Sequence, residues 1–240
     1  MPIRATIPGS MTCTTVISVG GSIVVPDGVD VDFVAGFVSS LRRRLDRQPE
    51  AKLALVIGGG STARSYQRSA KELVPDADSD TLDEIGIAAT RVNAQVIRAA
   101  FGSLCDDPVF TDPTRVRSIA GRVLVGGGWK PGFSTDNVTV HLAEALGADT
   151  VINLSNIRQI YTADPKIDPD ATPLETITWE ELRRIVGDEW VPGANTPFDP
   201  VATRRAAELG MTVIAADGRD LPNLEALLDG QPFVGTTIRP

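Results

Sequence analysis

The sequence predicts an α/β domain whose largely parallel sheet is covered by helices on both faces. Short apolar, β-branched runs alternate with segments of amphipathic helical spacing. The strand-like runs are apolar almost throughout, as strands buried on both faces are. The 240 residues, 42% hydrophobic, suffice for one large domain or two small ones with a sizeable core.

TTVISV (14–19) reads as the first strand and runs into Gly20-Gly21-Ser22. After a Pro-Asp-Gly turn, VDVDFVAGFVSSLRRRLDR has helical spacing, with Asp30 or Asp32 as its cap. AKLALVI (51–57) is a second strand and ends in Gly58-Gly59-Gly60, and the helix STARSYQRSAKEL follows. Another helix begins near DSDTLDEIG and continues through IAATRVNAQVIRAAF. GRVLV (121–125) is a strand leading to GGGWKPGFSTDN, after which TDNVTVHLAEAL is a helix that Gly147 ends. TVINLS (150–155) is a strand. The irregular stretch from Ile157 to Ile177 holds short hairpin strands and is the one candidate seam between two lobes, about 12–150 and 151–240. Thr178 and Glu181 stand in capping-box spacing before TWEELRRIV. Asp199-Pro200 caps VATRRAAEL, which stops at Gly210. MTVIAAD is a strand, LPNLEALLDG a short helix and FVGTTI a closing strand.

A net charge of −8 and a pI near 4.7 argue against a nucleic-acid partner. Cys13 and Cys105 lie far apart without metal-ligand spacing, so a disulfide framework is not expected and a reducing cytoplasm fits. The one histidine, His141, falls in a helical segment and reads as a packing or surface residue. No apolar run reaches the ~18 residues of a membrane span, and the N-terminal stretch has no signal-peptide core.

Three strands end in glycine-rich turns that lead to helices. Ligands of open α/β sheets bind beyond the carboxyl ends of the strands. Glycine lets backbone N–H groups approach an anion, and the following helix adds a positive dipole end. The turns match neither GxxxxGK[ST] nor GxGxxG, so the phosphate binder is of another design. GGGWKPGFSTD adds two hydroxyls and the Lys130 ammonium, with Ser134 or Thr135 as helix cap.

Together, GGS (20–22), GGGSTAR (58–64), DEIGIAATRVNA (83–94), GGGWKPGFSTD (126–136), SNIRQIYTADP (155–165) and PFDPVATR (197–204) carry a family likeness over nearly the whole chain. The chain resembles the amino-acid-kinase superfamily, and within it the UMP kinases of archaeal type. The resemblance implies a three-layer α/β/α sandwich that transfers the γ-phosphoryl of ATP to UMP in pyrimidine nucleotide biosynthesis. It also implies Mg²⁺ entering with ATP, no metal-ligating side chain, and a homohexamer. By position, Gly59, Asp83, Trp129, Lys130, Pro131, Gly132, Phe133, Ser134 and Thr135 would hold UMP. Gly20, Gly21, Ser22, Gly60, Arg64, Ser155, Asn156, Tyr161 and Asp164 would hold ATP. Asp136 would organise the reacting centre, with Lys130 and Arg204 as its cations. Asp83 suits ribose hydroxyls or a helix cap, and Tyr161 suits an adenine face or the core.

Three positions depart from the superfamily pattern. Ser18 stands where a lysine is common. Asn156-Ile157-Arg158-Gln159-Ile160-Tyr161 replaces Asn-x-Asp-Gly-x-Tyr, leaving Arg158 to face a phosphate or solvent. Arg204 replaces a lysine, and keeps its charge. A non-catalytic nucleotide or oxyanion binder, or a sibling kinase with another acceptor, remains the alternative reading.

Overall fold

The computed structural model describes residues 14–165, 167–187 and 197–240; Cys13 and the N-terminal stretch lie outside them. In chain order the elements are β1 (Thr14–Val19), α1 (Gly21–Val24), α2 (Val31–Arg47), β2 (Lys52–Ile57), α3 (Gly60–Leu73), α4 (Ser79–Phe101), β3 (Val123–Gly126), α5 (Thr135–Leu146) and β4 (Thr150–Ser155). They continue with β5 (Ile160–Tyr161), β6 (Pro173–Leu174), β7 (Thr176–Thr178), α6 (Trp179–Val186), α7 (Pro200–Glu208), β8 (Thr212–Asp217), α8 (Leu221–Leu228) and β9 (Thr236–Arg239).

Seven strands form one sheet in the order β3-β2-β1-β4-β8-β9-β7, and β5 pairs with β6 in a separate antiparallel ribbon. All pairings in the main sheet are parallel except β8 with β9. Side chains alternate between the faces. Ile17, Val19, Leu53 and Leu55 meet Phe37 and Leu41 of α2, Ile97 and Phe101 of α4, and Leu227 of α8. Val16, Ala54, Val56 and Val151 meet Val138 and Leu142 of α5, Leu182 of α6, and Ala202 of α7. These two cores make the expected three-layer α/β/α sandwich.

Local chemistry settles most helix ends. Asp30, not Asp32, caps α2 by accepting from Phe33 N. Ser134 caps α5 through Asn137 N, Asp199 caps α7 through Ala202 N, and Thr178 and Glu181 form a complete capping box. Asp78 caps α4, so Asp83 is not a cap.

Three details differ from the sequence expectation. The chain after β1 coils into the four-residue α1 before the Pro-Asp-Gly turn. The stretch read as irregular contributes β7, an edge strand of the main sheet. The closing strand spans Thr236–Arg239, while Phe233 is buried in the first core.

Candidate active site

β1 lies between β2 and β4. From β1 the chain steps outward to β2 and β3, and from β4 it steps outward the other way. The crevice beyond the carboxyl ends of β1 and β4 is therefore the topological switch point, where ligands of such sheets bind. Gly20 N donates to Leu154 O at 2.8 Å, bringing the turn after β1 against Ser155 after β4.

The glycines have a second use that the sequence reading did not assign. A Cβ on Gly21 would lie 2.1 Å from Gly60 N, and one on Gly58 2.4 Å from Gly21 N. The turns after β1 and β2 thus pack backbone on backbone. Gly60 also adopts φ +59°, a conformation that disfavours side chains. At the end of β3, Gly126 lies under the Phe110 ring, and after it Gly127 and Gly128 lie against Thr90. Much of the glycine surplus therefore serves close approach, not anion contact alone. For an anion there remains the start of α3, which has no side-chain cap although α2, α4, α5, α6, α7 and α8 all have one.

Helix α4 fixes the second and third turns. Asn93 Nδ2 donates to Gly58 O (2.9 Å) and Gly59 O (3.0 Å). Thr90 Oγ1 accepts from Gly128 N at 2.6 Å, and Arg91 donates to Gly128 O (3.3 Å) and Trp129 O (3.0 Å). Two turns earlier on the helix, Asp83 Oδ2 accepts from Gly132 N at 2.8 Å. Asp83, Gly59 and the loop from Trp129 to Thr135, including Pro131, are thereby gathered around one helix. Thr90, Arg91 and Asn93 received no role from the sequence. The available signal was Thr90 and Asn93, polar residues inside an otherwise apolar helix face, which must find partners when buried.

Within that loop Trp129, Phe133 and His141 pack together, with ring centroids 4.9–5.8 Å apart. Burial holds the His141 imidazole below its usual range, in keeping with a packing role. Lys130 is exposed, its ammonium 4.1 Å from the Trp129 centroid and 4.5 Å from that of Phe133.

Asp136 stands in the first turn of α5. Strand alternation puts Ser18 on the same sheet face as Val16, toward α5, and its hydroxyl donates to Asp136 Oδ1 at 3.0 Å. Ser18 sits in register between Val56 and Asn153, and the Asn153 amide donates to Pro197 O at 3.1 Å. Asp199 N donates to Asp136 Oδ2 at 3.3 Å. Burial, aided by the nearby Asp199 charge, pushes the Asp136 carboxyl up to about 6; the bonds from Ser18 and Asp199 N pull the other way. On α7, Arg205 is bound to Glu144 and Glu208. Arg204 is exposed and forms no ion pair among the described residues, so it is the guanidinium free to meet a ligand.

Beyond β4, a cavity of about 440 Å³ is lined by Asn156, Arg158, Tyr161, Asp164, Ile185 and Pro197, among others. Gln159, at the position of the glycine in the pattern the chain resembles, is buried and donates to Gly235 O at 3.2 Å; Ile160 N donates to Thr236 Oγ1 at 2.8 Å. The GTTI segment thus anchors the cavity loop. Ser155 lies beside Gly20, and its hydroxyl accepts from Ile157 N at 3.2 Å. Arg64 stands apart from these groups as an exposed side chain that donates to Pro26 O, at 3.5 Å, and forms no ion pair among the described residues.

The amino acid kinase family matches residues 14–217. The chain is 40% identical over 228 residues to the uridylate kinase of Methanospirillum hungatei, with 94% of each chain covered. It is 34% identical to that of Pyrococcus abyssi, over 94% of this chain and 99% of the relative. The crystal structure of uridylate kinase from Archaeoglobus fulgidus matches with a TM-score of 0.79 at 30% identity, over 93% of this chain and 100% of the other. UMP kinase from Bacillus anthracis shares the fold at 17% identity, with a TM-score of 0.75 over 96% and 97% of the two chains. The chain belongs to the amino acid kinase family, and within it to the uridylate kinases.

Proposed function

We propose that this protein transfers the γ-phosphoryl group of ATP to UMP, giving ADP and UDP. One observation carries the reading: the groups follow one another across the carboxyl ends of β4, β1, β2 and β3. From the cavity beyond β4 the row passes through Ser155, Gly20-Gly21 and Gly58–Gly60 to Thr90, and then to the loop from Gly127 to Phe133. A row of that kind suits two nucleotides meeting phosphate to phosphate. ATP takes the C-terminal lobe, with its base beside Tyr161 and its phosphates over Gly20, Gly21, Ser22 and the start of α3. UMP takes the N-terminal lobe, held by Asp83, Gly59 and the loop from Trp129 to Thr135.

A phosphate monoester has its second pKa near ~6, so the acceptor oxygen of UMP is already anionic at neutral pH and needs no base. That oxygen forms the new P–O bond as the bond from the γ-phosphorus to the β,γ-bridging oxygen breaks, and ADP leaves with the electron pair. The protein's part is positioning and charge compensation. Arg204 and Lys130 supply cations, and the start of α3 supplies backbone donors. Asp136 is negative and so is no phosphate ligand. It ties the first turn of α5 to the cap of α7 and to β1. The divalent cation enters as part of the MgATP substrate, where it offsets phosphate charge. A cation so delivered needs few protein ligands, and no group of three His, Cys, Asp or Glu side chains suited to a metal occurs among the described residues.

No helix of the described residues is long and apolar enough to cross a membrane. We place the reaction in the cytoplasm and expect a homohexamer, which light scattering would check. The decisive experiment is an ADP-release assay with MgATP and UMP, CMP, AMP or GMP. UMP-selective turnover is expected. Faster turnover of another acceptor would make the chain a sibling kinase, and ATP binding without turnover would make it a binder.

A further inference from the structure

We propose that Ser18 is a positioning residue for phosphoryl transfer, its hydroxyl fixing the plane of the Asp136 carboxylate within the reacting centre. The proposal rests on the kinase reading above for what Asp136 serves, and on geometry for what Ser18 does. Ser18 is 1% exposed near the carboxyl end of β1, an interior strand paired on both sides, where a side chain has little freedom. Its neighbours in register, Val56 and Asn153, leave Asp136 free: Val56 is apolar, and the Asn153 amide is turned to Pro197 O. A carboxylate held by one oxygen can rotate about its last torsion. Asp136 is held by both, with the Ser18 hydroxyl on Oδ1 and Asp199 N on Oδ2. The two donors come from β1 and from the residue that caps α7, so the carboxylate locks a strand to two helix starts.

Ser18 therefore does not act as the lysine common at this position would. A lysine brings a cation toward the phosphates, whereas Ser18 brings a neutral donor to the carboxylate. Among the described residues, the charged group acting on Asp136 is Asp199, which repels its ionised form. From the other packed elements, the strand row presents Val56, Ser18 and Asn153, and Arg115 of the 113–115 turn is exposed. On α5 itself, His141 and Glu144 pair with each other beyond the first turn. The Ser18 hydroxyl is thus the main side-chain group favouring the charged carboxylate.

The test compares Ser18→Ala and Ser18→Thr with the parent protein. Ser18→Ala should lower kcat about tenfold or more, leave both KM values within about twofold, and move the acid limb of the pH–kcat profile upward by about one pH unit. Ser18→Thr, which keeps the hydroxyl, should restore most of kcat and the parental limb. Unchanged kcat and limb in Ser18→Ala, or a loss confined to KM, would overturn the proposal. A second measurement needs no turnover: the Asp136 carboxyl titration followed by ¹³C NMR. Its midpoint should rise in Ser18→Ala and stay near the parental value in Ser18→Thr. An unmoved midpoint sinks the proposal even in an active enzyme. Parent protein inactive on UMP sinks the acceptor assignment instead, and the titration still decides Ser18.

Discussion

The backbone N–H of Asp199 points at Oδ2 of Asp136 across 3.3 Å, so the cap of α7 meets the first turn of α5. The contact brings two acidic residues together in a poorly solvated place, and the Asp136 carboxyl rises from 3.8 to about 6 in response.

Such a shift has a defined sign. Below about pH 4 the folded and unfolded chains both hold the proton, and nothing is lost. Between about pH 4 and 6 the unfolded chain ionises first, and above about pH 6 ionised Asp136 carries its full cost. Asp136→Asn should therefore stabilise the ligand-free protein by about 1–3 kcal/mol at pH 7.5. The gain should vanish near pH 4 in thermal melts taken across that range. The same variant should lose kcat by about a hundredfold or more, a trade of activity for stability. Unchanged turnover would refute the role given to Asp136.

Asp83 holds the loop from Trp129 to Thr135, which we assign to UMP, through Gly132 N. Asp83→Ala removes that acceptor, and KM for UMP should rise about five- to tenfold while KM for ATP stays near parental. Asp83→Asn keeps an acceptor oxygen and should sit between the two. An equal rise in both KM values would point to a general loss of structure.

The adjacent arginines of α7 should separate cleanly. Arg204→Ala should cut kcat by about tenfold or more, because no other partner holds this cation among the described residues. Arg205 is committed to Glu144 and Glu208 near the surface. Arg205→Ala should leave kcat within about twofold and change stability by at most about 1 kcal/mol. The reverse pattern would move the assignment one residue along.

Gly21→Ala tests the backbone-on-backbone packing of the glycine turns. The added carbon would stand 2.1 Å from Gly60 N and 2.7 Å from Gly58 C, with no flexible side chain to yield. A loss of at least about 2 kcal/mol in denaturant melts is expected, together with loss of ATP affinity. A stable, active variant would show that the two turns can part.

Alternating apolar runs and helical spacing specified the sandwich, because burial on two sheet faces demands that pattern whatever the strand order. Capping chemistry is local, so the Thr178–Glu181 box, Asp199 and Gly147 could be read directly, and Ser134 as one of two candidates with Thr135. The six motifs that identify the family were also in the sequence. The chain could not announce β7, a three-residue strand whose state depends on lying beside β9. Nor could it choose between cap and ligand for Asp83: Asp78 took the cap, and the fold brought Gly132, 49 residues away, to Asp83. Ser18 read as a missing lysine until β1 was set beneath α5. Only then did a hydroxyl 118 residues from Asp136 become its partner. Periodicity and caps act within a few residues and are written in order along the chain. The protonation and orientation of Asp136 depend on which distant groups exclude water around it, and packing alone decides that.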